Sequence, residues 1–131
     1  MRGIRTKDFL YIRNFKLENR PAIGDSSFNA DKSINIDGGP TKDFLIEHAD
    51  DPEVKVLFKL AFDRRPTQEL YDLEKDPHQM NNVAGKPEYA EVQRALSKRL
   101  MIILADTNDP RVMGDGSTFD KPPYVNQRKT R

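Results

Sequence analysis

The chain has no cysteine, only two histidines and no long hydrophobic run. Without cysteine it forms neither a disulfide nor a thiolate metal site, and this absence leaves the cellular compartment open. A membrane-spanning helix needs about 20 consecutive apolar residues, and no segment approaches that length. The histidines, His48 and His78, lie far apart in unlike settings, whereas a zinc site needs three or four convergent ligands. The sequence therefore predicts no membrane span, no metal site and no catalytic histidine.

Charge is nearly balanced over the 131 residues, with a net charge of +1. That balance gives no case for a nucleic-acid partner or an acidic membrane. The charge is nonetheless uneven, since residues 1–20 and 121–131 are basic and the middle is acidic. The basic ends fit either solvated strand edges with a frayed tail or a surface that faces an anionic substrate. Residues 126–131 are predicted to be a disordered basic tail.

Three short segments have the composition of β-strands. Residues 3–6 and 9–15 flank the two-residue turn Lys7-Asp8 and predict a hairpin, and residues 69–73 predict a third strand. An isolated hairpin is marginal in water, so further elements must pack on it. Residues 16–40 are irregular and predict a long functional loop or a disordered segment.

Helical patterns occupy most of the remaining chain. Residues 41–48 predict one helix, and Asp51 followed by Pro52 predicts the N-cap and first position of another. A longer helix begins at Pro87, ends at Asn108-Asp109-Pro110, and carries a wide apolar face: Ala90, Val92, Ala95, Leu96, Leu100, Ile103 and Leu104. Residues 111–131 show no periodicity and predict an extended segment. The fold class is therefore α+β, with a small antiparallel sheet packed against a C-terminal helix.

No catalytic set is recognisable in this chain. The carboxylate pairs at Asp50-Asp51 and Asp72…Asp76 are explained by helix capping and turn formation. The glycines form no nucleotide-binding pattern, and no serine sits in a nucleophile elbow. The chain alone is therefore predicted to be inactive as an enzyme.

An ordered set of motifs nevertheless runs along the chain. The segment Glu69-Leu70-Tyr71-Asp72-Leu73 leads into Asp76-Pro77-His78-Gln79, and Asn82-Val83-Ala84 follows. Upstream lies the strand Leu10-Tyr11-Ile12-Arg13-Asn14-Phe15, and the long helix ends at Thr107-Asn108-Asp109-Pro110. Together these motifs resemble the C-terminal end of the sulfatases, most closely the heparan N-sulfatase (sulfamidase) type. The resemblance covers roughly residues 1–125 and implies the C-terminal subdomain of an alkaline-phosphatase-like enzyme, without its catalytic domain.

The resemblance implies that the missing domain carries the chemistry. Sulfatases use a formylglycine matured from a Cys/Ser-x-Pro/Ala-Ser-Arg motif, together with a calcium ion, and this chain has neither cysteine nor that motif. No cofactor is expected in this chain, and calcium and formylglycine are expected in the catalytic domain. The implied partners are that domain, in cis or as a split partner, and a sulfated glycan. A periplasmic, secreted or lysosomal location follows if the whole enzyme has a signal peptide.

Three residues are predicted to face the substrate pocket: Arg13, Asn14 and Arg20. They follow a buried strand into the long loop, and guanidinium groups suit the oxygens of sulfate or carboxylate. Arg13 fits equally a cross-strand ion pair, Arg20 a solvated surface residue, and Asn14 a turn former.

Two functions remain open on the sequence. The chain is either the C-terminal portion of a hydrolase of sulfate esters or N-sulfate on glycans, or a stand-alone binding module derived from one. The first predicts exposed apolar surface, and the second predicts a stable folded monomer or dimer.

Overall fold

A three-stranded antiparallel sheet organises the part of the chain that the structure, a computed structural model, describes: residues 1–18 and 39–117. The strands are β1 (Arg2–Arg5), β2 (Phe9–Arg13) and β3 (Gln68–Asp72), in the order β1-β2-β3. The helices are α1 (Pro40–Glu47), α2 (Pro52–Phe62), α3 (Ala90–Asp106) and α4 (Pro110–Met113), and a 3₁₀ turn at Pro87–Tyr89 leads into α3. This architecture confirms the predicted α+β class. None of the described helices is long and apolar enough to cross a membrane.

The core lies between α3 and one face of the sheet. Tyr11 of β2 and Leu70 of β3 are cross-strand partners, and both are completely buried. Against them pack three leucines of α3 spaced four residues apart: Leu96, Leu100 and Leu104. The buried stripe is narrower than the sequence predicts, because Ala90 and Ala95 are exposed and Ile103 is 42% exposed.

The free edge of β3 is covered by the loop that follows it. Val83 donates its N–H to the carbonyl of Leu70 (2.8 Å), and the Oδ1 of Asn82 accepts the N–H of Leu70 (2.9 Å). The same Oδ1 accepts the N–H of Ala84 (2.9 Å). An asparagine side chain here replaces the backbone of a fourth strand, so both the N–H and the carbonyl of Leu70 are hydrogen-bonded at this outer edge.

Two carboxylates shape this loop, as the predicted turn chemistry requires. Asp76 accepts the N–H groups of Met80 (3.1 Å) and Asn81 (2.7 Å). Asp72 accepts the hydroxyl of Tyr89 (2.9 Å) and ion-pairs with Lys75 (3.1 Å). Burial alone would raise the pKa of Asp72, but the hydrogen bonds from Lys75 and Tyr89 outweigh it and lower that pKa. The loop is thereby fixed to the beginning of α3.

Helices α1 and α2 form a separate small cluster around Phe62, which is almost completely buried among Leu45, Ile46, Phe58 and Ala61. Asp51 is the N-cap residue of α2, as predicted, but its carboxylate makes no capping bond. It instead contacts the Nδ1 of His48 (2.9 Å), the residue that ends α1.

The segment after α3 corrects one expectation. Residues 110–113 form the short helix α4 rather than extended chain, because Asp109 caps the N–H of Arg111 (2.9 Å) and Pro110 has a backbone angle suited to a first helical position. Asp109 also binds the Nε of Arg2 (2.7 Å), which joins β1 to this turn and lowers the pKa of Asp109. The predicted basic tail at 126–131 and most of the predicted loop at 16–40 lie outside the described residues.

We expect Asn82→Ala to lower the free energy of unfolding by about 1–3 kcal/mol, because it leaves the buried N–H of Leu70 without a partner. The neighbouring Asn81→Ala is the control, since only the backbone of Asn81 is used in the loop. Urea unfolding of both variants measures the difference. Equal losses would show that the edge bond is not what stabilises β3.

Candidate functional site at one end of the sheet

Asn14 fastens the end of β2 to the segment that enters β3. Its side chain is 6% exposed, and its Nδ2 donates to the carbonyl of Pro66 (2.7 Å) and to the Oε1 of Glu69 (2.8 Å). Its backbone N–H donates to the carbonyl of Thr67 (3.0 Å). Because both hydrogens of its side-chain amide are bonded within the chain, Asn14 fixes the end of β2 relative to the segment that enters β3. The sequence predicts Asn14 as a pocket residue, and its contact with substrate stays a prediction.

Glu69 is a carboxylate buried in this same network, at 4% exposure. Its Oε1 accepts from Asn14, and its Oε2 accepts the hydroxyl of Tyr71 (2.6 Å). Burial, and then the hydrogen bond to Glu69, raise the pKa of Tyr71 well above its usual range. Within the described ranges no cation lies within ion-pairing distance of Glu69. Two short bonds to its oxygens therefore offset its desolvation.

Arg13 lies on the opposite face of the sheet from Glu69, because neighbouring positions of a strand alternate between faces. Its cross-strand neighbours are Arg2 and Gln68. Arg2 is already bound to Asp109, and no carboxylate in the described part of the chain pairs with Arg13. The alternative of a cross-strand ion pair is thus not seen there. Arg13 is a half-buried residue that precedes Asn14 in the chain, and a cation without a carboxylate partner suits an anion.

The other sequence-derived candidates are placed as follows. Arg20 lies outside the described residues. His78 is exposed in the turn after β3, and among residues 1–18 and 39–117 no group of three or more His, Asp or Glu side chains could hold a metal ion. Sequence reasoning missed the buried Asn14–Glu69–Tyr71 network, although a Glu-x-Tyr pair facing one way on a strand was a signal for it.

The comparisons with known proteins agree with this fold. Residues 55–106, which include most of α2 and all of β3 and α3, match the family model described as N-sulphoglucosamine sulphohydrolase, C-terminal. The chain is 31% identical over 97 residues to an ulvan-active sulfatase of Formosa agariphila, across 74% of its own length. Together these matches support a C-terminal sulfatase region. The match spans 16% of that relative, so the chain corresponds to about a sixth of its length.

The residues of the motif that resembles the sulfatases have structural roles in the described part of the chain. Glu69 and Asp72 are buried and bonded to internal donors, Leu70 is in the core, and Asp76 and Asn82 order the loop at the edge of β3. The motif thus specifies how β3 is held in this sulfatase region.

The free energy of unfolding should fall above about pH 10, where a tyrosine in the unfolded chain loses its proton. Folded Tyr71 keeps its proton because its pKa is raised, so the unfolded state binds fewer protons and is favoured as the pH rises. This contribution is complete below pH 10 and falls by up to about 1.4 kcal/mol per pH unit above it.

Tyr71→Phe should remove that part of the alkaline slope, although it is less stable at neutral pH through the lost bond to Glu69. Urea unfolding of both proteins across the alkaline range gives the two slopes. Identical slopes would show that Tyr71 titrates alike in both states.

Proposed function

We propose that this chain is the C-terminal portion of a hydrolase that removes sulfate from a glycan, as an O-sulfate ester or an N-sulfate, and that it completes the fold and the substrate pocket. The family description names an N-sulfated glucosamine, and the relative's name states that it acts on ulvan. Both are sulfated-sugar activities, so a sulfate group on a sugar is the shared element of the substrate.

The reacting groups belong, in this proposal, to a catalytic domain beyond this chain. The chain has no cysteine and no Ser-x-Pro/Ala-Ser-Arg motif from which formylglycine could arise. Calcium takes six to eight oxygen ligands, and among the described residues no group of three or more His, Asp or Glu side chains could hold a metal ion. We therefore assign formylglycine and calcium to the other domain and binding of the glycan to this one.

The assignment of this chain to the substrate pocket rests on Arg13. Arg13 is half-buried, lacks a carboxylate partner in the described part of the chain, and precedes Asn14, whose bonds anchor the end of β2. A guanidinium can bind two oxygens of a sulfate or carboxylate at once, which orients the sugar as well as attracting it. Arg13 is then a binding residue, Asn14 positions it, and Arg20 would add a second cation.

Exposed apolar side chains favour a portion of an enzyme over a stand-alone module. On α3, Ile102 and Ile103 are about half-exposed. On α2, Val56 and Leu57 are exposed to a similar degree. Apolar surface of this kind suits contact with another domain, here the catalytic domain of the sulfatase.

Arg13→Gln should raise the KM for a sulfated oligosaccharide about 10- to 100-fold in the protein that joins this chain to its catalytic domain, as expected for losing a hydrogen-bonded charge. Arg13→Lys should give an intermediate KM, because it keeps the charge and loses the fork. Lys7→Gln, in the exposed hairpin turn, is the matched control.

Sulfate release measured against substrate concentration gives these values, with a thermal melt to verify folding. A folded Arg13→Gln enzyme with an unchanged KM contradicts the pocket assignment. Sulfate release by the 131-residue chain alone contradicts the assignment of the chemistry to another domain.

A further inference from the structure

A groove of about 510 Å³ runs along the first half of α3, between that helix, the preceding loop and the beginning of β3. Three of its lining side chains are cations, Lys86, Arg94 and Lys98, and no carboxylate lines it. Its other polar side chains are Gln68, Gln93 and Ser97. The groove is separate from the buried Asn14–Glu69–Tyr71 network on the opposite face of the sheet.

The floor of the groove is held by a chain of amide contacts. The Nε2 of Gln93 donates to the Oε1 of Gln68 (3.1 Å), which also accepts the hydroxyl of the completely buried Tyr11 (2.7 Å). The Oε1 of Gln93 accepts the N–H of Gly85 (2.8 Å). Gly85 has a φ of 85°, which side chains rarely adopt, and this turn brings Lys86 to the groove.

The cations of the groove are not neutralised within the described part of the chain, where none of the three side chains forms an ion pair or a hydrogen bond. Arg94 and Lys98 also stand four residues apart on one helix, a spacing at which like charges destabilise the helix slightly. A concave surface with three uncompensated cations attracts an anion, and a bound anion would relieve the repulsion between them.

We propose that this groove binds sulfate or carboxylate groups of a glycan chain, on sugars beyond the one whose sulfate is removed. The inference rests on the proposed function and extends it to a second subsite. The amides and the hydroxyl of Ser97 suit sugar hydroxyls, and no aromatic side chain lines the groove to stack on nucleic-acid bases.

The position of the groove also fits a chain that extends from the proposed pocket. Gln68, in its lining, is the cross-strand neighbour of Arg13 on the same face of the sheet. Side chains paired in this way have Cβ atoms about 4.5–5.5 Å apart. A glycan that reaches Arg13 would therefore have its next anionic groups beside the groove.

The test uses the double variant Arg94→Gln/Lys98→Gln in the protein that carries this chain. Binding of a fluorescent heparin-derived oligosaccharide, measured by anisotropy, should weaken about three- to thirtyfold, as for two exposed ion contacts. The slope of log affinity against log salt should become shallower by roughly 1.5. The KM for a polymeric substrate should rise, while kcat on a small monosulfated substrate stays unchanged.

The matched control is Lys55→Gln/Lys59→Gln, which removes two exposed cations at the same spacing on α2. If this control loses as much oligosaccharide affinity, the groove proposal is wrong and the binding reflects a general attraction of the anionic ligand to surface cations. Equal binding of a desulfated oligosaccharide without carboxylates would also overturn it, and tighter binding of a single-stranded oligonucleotide of equal charge would overturn the glycan assignment. Lys86→Gln, in the loop, provides a second variant should the helix variant fail to fold.

The two proposals fail in distinguishable ways. If the double variant releases sulfate from the small substrate and still binds the polymer as tightly as the wild type does, the groove proposal is wrong and the proposed function stands. If the oligosaccharide binds more weakly to the double variant but the wild-type protein releases no sulfate, the proposed function is wrong and the groove proposal stands.

Discussion

The pairing of β3 on both of its edges is the constraint on which the described sheet depends. On one side β3 pairs with β2, and on the other Asn82 and Val83 close the edge of Leu70. Because β3 cannot shift its register without breaking both sets of bonds, Leu70 stays in the core against α3. A short strand with an open edge would instead offer its backbone to other chains.

The charged residues named above fall into two groups. The carboxylates Glu69, Asp72, Asp76 and Asp109 are each bonded to donors within the described part of the chain. Near the end of β2, by contrast, no carboxylate in the described part of the chain pairs with Arg13. The side chains of the groove cations Lys86, Arg94 and Lys98 form no ion pair in that part either. A chain with a net charge of only +1 thus presents a locally positive surface, and this surface carries both proposed roles.

Much of the fold follows from sequence patterns. The three strands, the two helices after residue 40 and the long α3 were predicted within a few residues, because alternation, proline positions and helix caps are local signals. The α4 turn was missed although Asp109-Pro110 was visible, because that pair was interpreted only as the end of α3. The exposure of Ile103 could not be predicted, since it depends on how α3 is rotated against the sheet.

The candidate site was less predictable for the same reason. That Asn14 reaches Glu69 follows from contacts across more than fifty residues of chain, which no local pattern encodes. The groove depends on the turn at Gly85 and on one face of α3, and the helix pattern alone would assign Arg94 and Lys98 to an ordinary solvated surface. The motif Glu69–Asp72 led to the family that the comparisons match, and in this structure its residues stabilise the sheet.

The coding sequence in frame upstream of the Met1 codon would decide whether this region belongs to a sulfatase. We expect a continuous reading frame that contains the Cys/Ser-x-Pro/Ala-Ser-Arg motif behind a pair of aspartates, which would join this region to a formylglycine sulfatase domain. A stop codon and a ribosome-binding site immediately upstream, with no such frame beside it, would contradict the account and leave a protein that binds without catalysing.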